Sequence, residues 1–494
     1  MGRLTKREHA RNHRQTSGAL TVENGSSTVR RVIQREHDGT RWELQPDFAP
    51  LLDEVLKSPG ELMKESPVKR VSRRQAGGKT FYIKRYLHRA VPLRPLKFLF
   101  KATQARREWE LAQQLDARSI PIVRHVAFGE RRTWLGVQES ILVTEGFDGM
   151  PVAAAPNVDL AAVLAFVRTM HDQGVLQEDL HPANLLMRLE PFELRLVDLD
   201  GTRVSASLSA EQRRKNLALL RVFLPVPVPR EIEEHSRDLR KQLLHERSRR
   251  CLRSNREFAA ERHGGLKWQV RLPFINDSVR QVLDGPDKFL QARATLLKAG
   301  RTSTVGKGDG VVLKRFNFRK VENLFKDLFR PSRARRAFRK AYHLELAGIP
   351  TARSIATADW RFCGFLIRSH LLMEEIHGAT DLTKYFREGG KPKPGLVQDA
   401  ARLIAKLHDE GFSHRDLKES NLVISGQGKI YLIDLDGVTF VQSMPDGRAA
   451  LELARLHRGV AKYPAVTAKD RIRFLLTYYR ARNIRRLPRV PESA

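Results

Sequence analysis

Hydrophobic positions along this chain fall into a few recurring patterns. FYIKRY (81–86) and VVLKRF (311–316) are short runs rich in β-formers and read as strands. Leu160, Val163, Leu164, Val167 and Met170 recur at i, i+3, i+4 spacing, as do Val397, Ala400, Ala401, Ile404 and Leu407. Each set predicts a buried helix. NLLMRL with ELRLVDLD, and NLVIS with KIYLIDLD, predict a strand–turn–strand soon after each helix. A sheet-rich part followed by a mainly helical part, with polar joining loops, predicts a bilobal α+β arrangement.

The pattern occurs twice. REHDGTRWEL (35–44) matches ERHGGLKWQV (261–270), so Trp42 pairs with Trp268. FYIKRY matches VLKRF, which pairs Lys84 with Lys314. ARREWELAQQLDARSIP (105–121) matches ARRAFRKAYHLELAGIP (334–350), and MHDQGVLQEDLHPANLL (170–186) matches LHDEGFSHRDLKESNLV (407–423). LRLVDLDGTRV (194–204) matches IYLIDLDGVTF (430–440). The offset stays between 226 and 237 throughout, which marks a tandem duplication. The expected layout is a basic disordered tail at 1–29, one domain at 30–235, a charged connector at 236–255 and a second domain at 256–494. The stretch 230–250 is highly charged and helix-prone.

The polar residues between these patterns carry a recognisable chemistry. Moving a phosphoryl group asks a protein mainly for positioning and charge neutralisation. A lysine must meet the α- and β-phosphates, held by a glutamate on a neighbouring helix. An aspartate must orient the acceptor hydroxyl, and an amide with a second carboxylate must hold Mg²⁺. The second copy contains His414-Arg415-Asp416-Leu417-Lys418-Glu419-Ser420-Asn421, with Asp434 following 18 positions after Asp416. That is the order of a protein-kinase catalytic loop and its metal-binding aspartate. It makes Asp416 the candidate base, Asn421 and Asp434 the candidate Mg²⁺ ligands, and Lys418 and Lys314 the candidate phosphate contacts. In the first copy Asp179 is the candidate base, Asn184 and Asp198 the metal ligands, Lys84 the strand lysine and Glu108 its partner. The fold class expected is therefore α+β, as two tandem bilobal protein-kinase-like domains.

The copies differ. Ala337 falls opposite Glu108, so the second copy lacks the expected partner for Lys314; Glu345, two turns later, offers a carboxylate if that helix is rotated. Gln177 stands where the first copy should carry the loop histidine, a scaffolding position. Neither copy has a GxGxxG loop; Gly77-Gly78 and the glycines of VGKGDG (305–310) read first as hairpin turns. The fuller set favours the first copy as the active one, with the second binding nucleotide at reduced or no turnover.

IKRY or LKRF, then SRARRAF or QARREW, GIPTARSIA, LHDEGFSHRDLKESNL and LIDLDG together resemble the bacterial lipopolysaccharide kinases, the Kdo and heptose kinase group. The similarity covers about 60–225 and 290–480. DLHPAN is similar to the loop of aminoglycoside and choline phosphotransferases. The resemblance implies ATP and Mg²⁺ as cofactors, a sugar hydroxyl of a lipid A-core glycolipid as acceptor, and work on the cytoplasmic face of the inner membrane. The alternatives are a Ser/Thr protein kinase, favoured by HRDLK but lacking an APE segment, or an inert pseudokinase tandem serving as a scaffold.

Charge adds a partner to this picture. Lys+Arg 89 against Asp+Glu 56 gives +33, which calls for an anionic environment. Two basic amphipathic stretches, 94–107 and Val321, Leu324, Phe325, Leu328 and Phe329 with their flanking arginines and lysines, make an anionic membrane surface the candidate. Aromatic content of 7% and the lack of an RNA-module motif argue against specific nucleic-acid binding. No apolar run reaches the roughly 18 residues of a membrane span, and the N-terminus carries no apolar signal region. Two cysteines, Cys251 and Cys363, without ligand neighbours fit a reducing, cytoplasmic setting.

Overall fold

The computed structural model describes residues 32–91, 94–317, 330–363 and 365–482. The tail at 1–29 and the apolar stripe Val321 to Phe329, with Arg319, Lys320 and Lys326, lie outside the described residues. The chain divides into two compact units, one ending at Ser236 and the other beginning at Arg237.

Unit 1 opens with seven antiparallel strands: β1 (Ile33–His37), β2 (Thr40–Leu44), β3 (Glu61–Ser66), β4 (Lys69–Ala76), β5 (Lys79–Leu87), β6 (His125–Thr133) and β7 (Gly136–Glu145). They lie in the order β1-β2-β6-β7-β5-β4-β3. Helices α1 (Leu52–Lys57), α2 (Arg94–Lys97) and α3 (Gln104–Ala117) accompany them. Strand alternation puts Ile141 and Val143 in one core with Trp42, Phe81 and Ile83, and Leu142 in another with Tyr86, Phe128 and Trp109 of α3. Thr103 starts α3 by accepting from the Arg106 amide.

The helical lobe of unit 1 contains β8 (Met150–Pro151), α4 (Leu160–Asp172), β9 (Val175–Gln177), β10 (Leu185–Arg188), β11 (Glu193–Leu196), β12 (Thr202–Val204) and α5 (Ala210–Phe223). The predicted stripe holds: Val163, Leu164, Val167 and Met170 are buried on α4. Its strand–turn–strand is the antiparallel pair β10–β11. The charged stretch 230–250 forms α6 (Arg230–Arg249), and the division between the units falls within it.

Unit 2 repeats the plan. Its sheet comprises β13 (Phe258–His263), β14 (Leu266–Arg271), β15 (Thr295–Ala299), β16 (Ser303–Gly308), β17 (Val311–Phe316), β18 (Ser354–Phe362) and β19 (Phe365–Glu374). The order β13-β14-β18-β19-β17-β16-β15 is that of unit 1, strand for strand. Helices α7 (Asp277–Asp284) and α8 (Arg333–Leu346) accompany the sheet, and Ser332 caps α8 as Thr103 caps α3. The helical lobe has β20 (Thr380–Asp381), α9 (Leu382–Arg387), α10 (Pro394–Asp409), β21 (Phe412–His414), β22 (Leu422–Ile424), β23 (Ile430–Leu432), β24 (Val438–Phe440), α11 (Asp446–Ala461) and α12 (Ala468–Ala481).

The hairpin-turn expectation holds for Gly77, Gly78 and Gly310 but not for Gly306 and Gly308, which are paired within a strand. Gly77 and Gly78, at φ +53° and +71°, join β4 to β5; Gly310, at φ +74°, joins β16 to β17; Gly306 and Gly308 lie inside β16. Lys84 pairs with Val71 across β4–β5, so the β3–β4 turn at 66–69, which has no glycine, is the one on its side.

Candidate active site

In unit 1, β5 and α3 bring two opposite charges together out of water. Lys84 Nζ lies 2.6 Å from Glu108 Oε1 and 3.5 Å from Asp198 Oδ1. His125 Nε2 stands 3.5 Å from the same Glu108 oxygen. Burial works against both charges, but their mutual attraction prevails. Lys84 is therefore held above the ordinary lysine value and Glu108 well below the usual carboxylate range. Burial and the Glu108 charge also push the Tyr86 hydroxyl up.

Below this pair, β9 and β12 run antiparallel and bracket the loop that holds Asp179. Gly174 permits the tight entry: at φ +72°, an added Cβ would stand 2.1 Å from the Ser205 carbonyl. The Asp179 amide donates to Gln177 Oε1 at 3.1 Å, and Gln177 Nε2 donates to the Asp198 carbonyl at 3.1 Å. Gln177 thus ties the backbones of both aspartates, and its own carbonyl accepts from Asn216 Nδ2 of α5 at 2.7 Å. Asn184 Nδ2 donates to the Asp179 carbonyl at 3.0 Å, while the Asn184 carbonyl accepts from the Val197 amide at 2.9 Å. That pairing sets Asn184 beside Asp198. Asp198 sits at φ +60°, in the left-handed region that non-glycine residues seldom adopt.

Unit 2 builds the same frame with different fastenings. Asn421 Nδ2 donates to the Asp416 carbonyl at 2.7 Å, the Ile433 amide donates to the Asn421 carbonyl at 2.9 Å, and Asp434 has φ +53°. The Asp416 amide donates to His414 Nδ1 at 3.3 Å, the place Gln177 takes in unit 1. The His414 amide in turn donates to Glu452 Oε2 of α11 at 2.8 Å.

The phosphate-side lysine differs. Lys314 Nζ pairs with Asp434 Oδ1 at 3.1 Å, and this charge, set against burial, holds the Asp434 carboxyl below its usual value. Ala337 occupies the Glu108 position, five residues after the cap, and is buried. Glu345 does not substitute: Arg271 of β14 holds both its oxygens, at 2.7 and 3.0 Å. Lys418 Nζ lies 2.8 Å from Asp416 Oδ2.

Among the described residues no cluster of three or more His, Cys, Asp or Glu could hold a metal. Asn184 with Asp198, and Asn421 with Asp434, each offer two hard oxygen donors. Such a pair suits Mg²⁺, which keeps several waters and draws its remaining ligands from substrate phosphates.

Comparison with known proteins shows the family. The model of the "Lipopolysaccharide kinase (Kdo/WaaP) family" matches residues 53–243 and again 296–478. The chain belongs to the lipopolysaccharide kinase (Kdo/WaaP) family. Within it, the chain is 33% identical over 199 residues to the 3-deoxy-D-manno-octulosonic acid kinase of Xanthomonas campestris pv. campestris (strain B100), covering 40% of this chain and 67% of that protein. The Vibrio parahaemolyticus kinase of the same name is 36% identical over 91 residues, 18% of this chain and 37% of that protein's length. Among solved structures, WaaP in complex with acyl carrier protein is similar at TM-score 0.30 and 21% identity, over 39% of this chain and 85% of that one. WbdD, in a co-crystal with a kinase inhibitor, is similar at TM-score 0.25 and 14% identity, over 39% of this chain and 45% of that one.

Two features of this candidate site escape sequence reading. Lys69, at the start of β4, lies over the Tyr86 ring at 5.1 Å; burial and the neighbouring Lys84 charge lower its pKa. Its signal was its place two residues before the partner of Lys84 across the hairpin. In unit 2, Arg333 at the start of α8 pairs with Asp436. Lys340, one turn after Ala337, donates to the Leu435 and Asp436 carbonyls at 3.1 and 2.9 Å. Nothing in the local pattern announces these contacts, because each joins residues about a hundred positions apart.

Proposed function

We propose that the protein transfers the γ-phosphate of ATP to a sugar hydroxyl of a lipopolysaccharide-core glycolipid, with unit 1 as the reacting site. The observation that carries this is the buried Lys84–Glu108 pair reaching Asp198 above the Asp179–Asn184 loop. In this reading Lys84, oriented by Glu108, meets the α- and β-phosphates. Asp179, which is exposed, takes the proton of the acceptor hydroxyl as its oxygen bonds to phosphorus and ADP departs. Asn184 and Asp198 would hold Mg²⁺, which supplies neutralisation of the phosphate oxygens when bound. Lys314, Asp416, Lys418, Asn421 and Asp434 are the corresponding set of unit 2. The reading places the protein on the cytoplasmic face of an anionic inner membrane, where such an acceptor is presented; no described helix is long and apolar enough to cross a membrane. The domain limits proposed are 30–235 and 256–494, joined through 236–255.

The test uses labelled ATP with Mg²⁺ and offers a Kdo-terminated lipid A acceptor, a peptide library and the protein alone. Label on the glycolipid, lost in Lys84→Met, is expected. Label on peptide serines or threonines would replace the reading with a protein kinase. No transfer to anything would replace it with a scaffold.

A further inference from the structure

We propose that unit 1 docks on an anionic lipid surface through an apolar patch formed by α2, the residues that follow it, and the turn between β6 and β7. This extends the membrane placement above but rests on the surface itself, not on the phosphotransfer reading. Leu96, Leu99 and Phe100 are exposed on one side of the patch, and Trp134 and Leu135 on the other. Phe100 is 91% exposed and Trp134 87%, an unusual outlay of aromatic surface to water. The two sides form one patch. Gly136, directly after the turn, has φ +101°, and a Cβ there would stand 2.3 Å from the Pro95 carbonyl and 3.3 Å from the Leu96 amide. The turn therefore lies flush against α2. Phe98 points the other way and anchors the segment, its ring 4.3 Å from that of buried His88.

Charge selects the occupant. From His88 to Arg107 the sequence has no Asp or Glu, while Arg89, Lys97 and Lys101 are exposed around the apolar side chains. The acids of the adjoining strands are spent inward: buried Glu130 is paired with Arg106 and Arg132, and buried Glu139 with Arg85 and Arg131. A second copy would bring the same positive patch against this one and be repelled. Aromatic and leucine side chains ringed by long cationic ones fit the boundary between acyl chains and anionic headgroups, with the amines reaching phosphate.

The test uses the full chain with vesicles of phosphatidylglycerol and phosphatidylcholine, and of phosphatidylcholine alone. Trp42, Trp109 and Trp268 are buried, while Trp134 and Trp360 (40% exposed, in unit 2) meet water, so the blue shift of tryptophan emission on vesicle addition should vanish in Trp134→Phe and persist in Trp360→Phe. Co-sedimentation with the anionic vesicles should fall as salt rises. Lys97→Glu with Lys101→Glu should weaken it at least about 25-fold, at roughly fivefold per charge. Phe100→Ser with Trp134→Ser should weaken it at least about tenfold while leaving the thermal midpoint in place. Asp179→Asn should bind vesicles like the wild type, which separates this surface from the catalytic reading. Equal binding to both vesicle types, anionic binding undiminished in both double variants, or self-association relieved by Phe100→Ser with Trp134→Ser would each overturn the proposal.

Discussion

Lys84 and Glu108 show what one pair of residues does for each lobe of unit 1. The pair is nearly dry, so each charge is tolerable only because the other is 2.6 Å away. Glu108→Gln keeps the shape and a hydrogen-bond acceptor but strands the ammonium, which retains only Asp198 at 3.5 Å. The expected loss is about 1–3 kcal/mol in stability, read by denaturant unfolding, with phosphate transfer falling at least about 10²-fold through misplacement of the lysine. The pH dependence has a definite sign. Glu108 titrates lower in the folded chain than unfolded, so its contribution is complete above its unfolded value of about 4.3 and is lost as pH falls through the depressed one. Lys84 is raised, so its contribution is complete below about pH 10.4 and is lost as pH climbs through the raised value. Unfolding between neutrality and pH 3 should therefore be steeper for wild type than for Glu108→Gln. Parallel curves would show that the pair does not govern this stability.

At the scale of elements, α3 and α8 perform one task by different contacts. Helix α3 is joined to the site through Glu108, and α8 through Arg333 on Asp436 and Lys340 on the carbonyls of residues 435 and 436. The α8 fastening holds the backbone next to Asp434, not Lys314. In a Lys84→Met background, which removes the phosphate-side lysine of unit 1, Arg333→Ala with Lys340→Ala should loosen that segment, with faster amide hydrogen exchange around 435–437 and nucleotide affinity of unit 2 reduced about tenfold. Unchanged exchange would mean the segment is held from elsewhere. The same helices show where sequence reading stops. Periodicity found α4 and α10, because Val163, Val167, Ala401 and Ile404 repeat with the helix turn and bury against one core each. Motif order put each aspartate and asparagine on one loop, where the asparagine side chain donates to the aspartate carbonyl. Pattern could mark Ala337 as a departure but not reveal its consequence. Whether Glu345 turns toward Lys314 depends on Arg271, on a strand 74 positions away. The patch at Phe100 and Trp134 was legible only on its α2 side, because the β6–β7 turn joins it through folding alone.

At the scale of the molecule, the two units pose one question: which of them turns over. Lys84 has the Glu108 carboxylate to hold it besides Asp198, whereas Lys314 has only Asp434 among the described residues. A lysine whose sole anchor would be drawn toward Mg²⁺ is less fixed when phosphates arrive, and poor positioning alone costs about 10²-fold. The proposed bases differ as well. Asp416 carries Lys418 at 2.8 Å, while Asp179 has no ion pair among the described residues and is free to meet an acceptor hydroxyl. Both differences favour unit 1 for chemistry and leave unit 2 able to bind nucleotide. Asp179→Asn should therefore reduce phosphate transfer by about 10²–10⁴-fold, the usual worth of a positioned base, while Asp416→Asn stays within about threefold of wild type. Both variants should keep a rise in thermal midpoint with Mg·ATP, since neither removes a phosphate-binding lysine. If Asp416→Asn abolishes transfer and Asp179→Asn does not, the assignment is reversed. The Arg333–Lys340 fastening of α8 would then suffice in place of the lysine–glutamate pair.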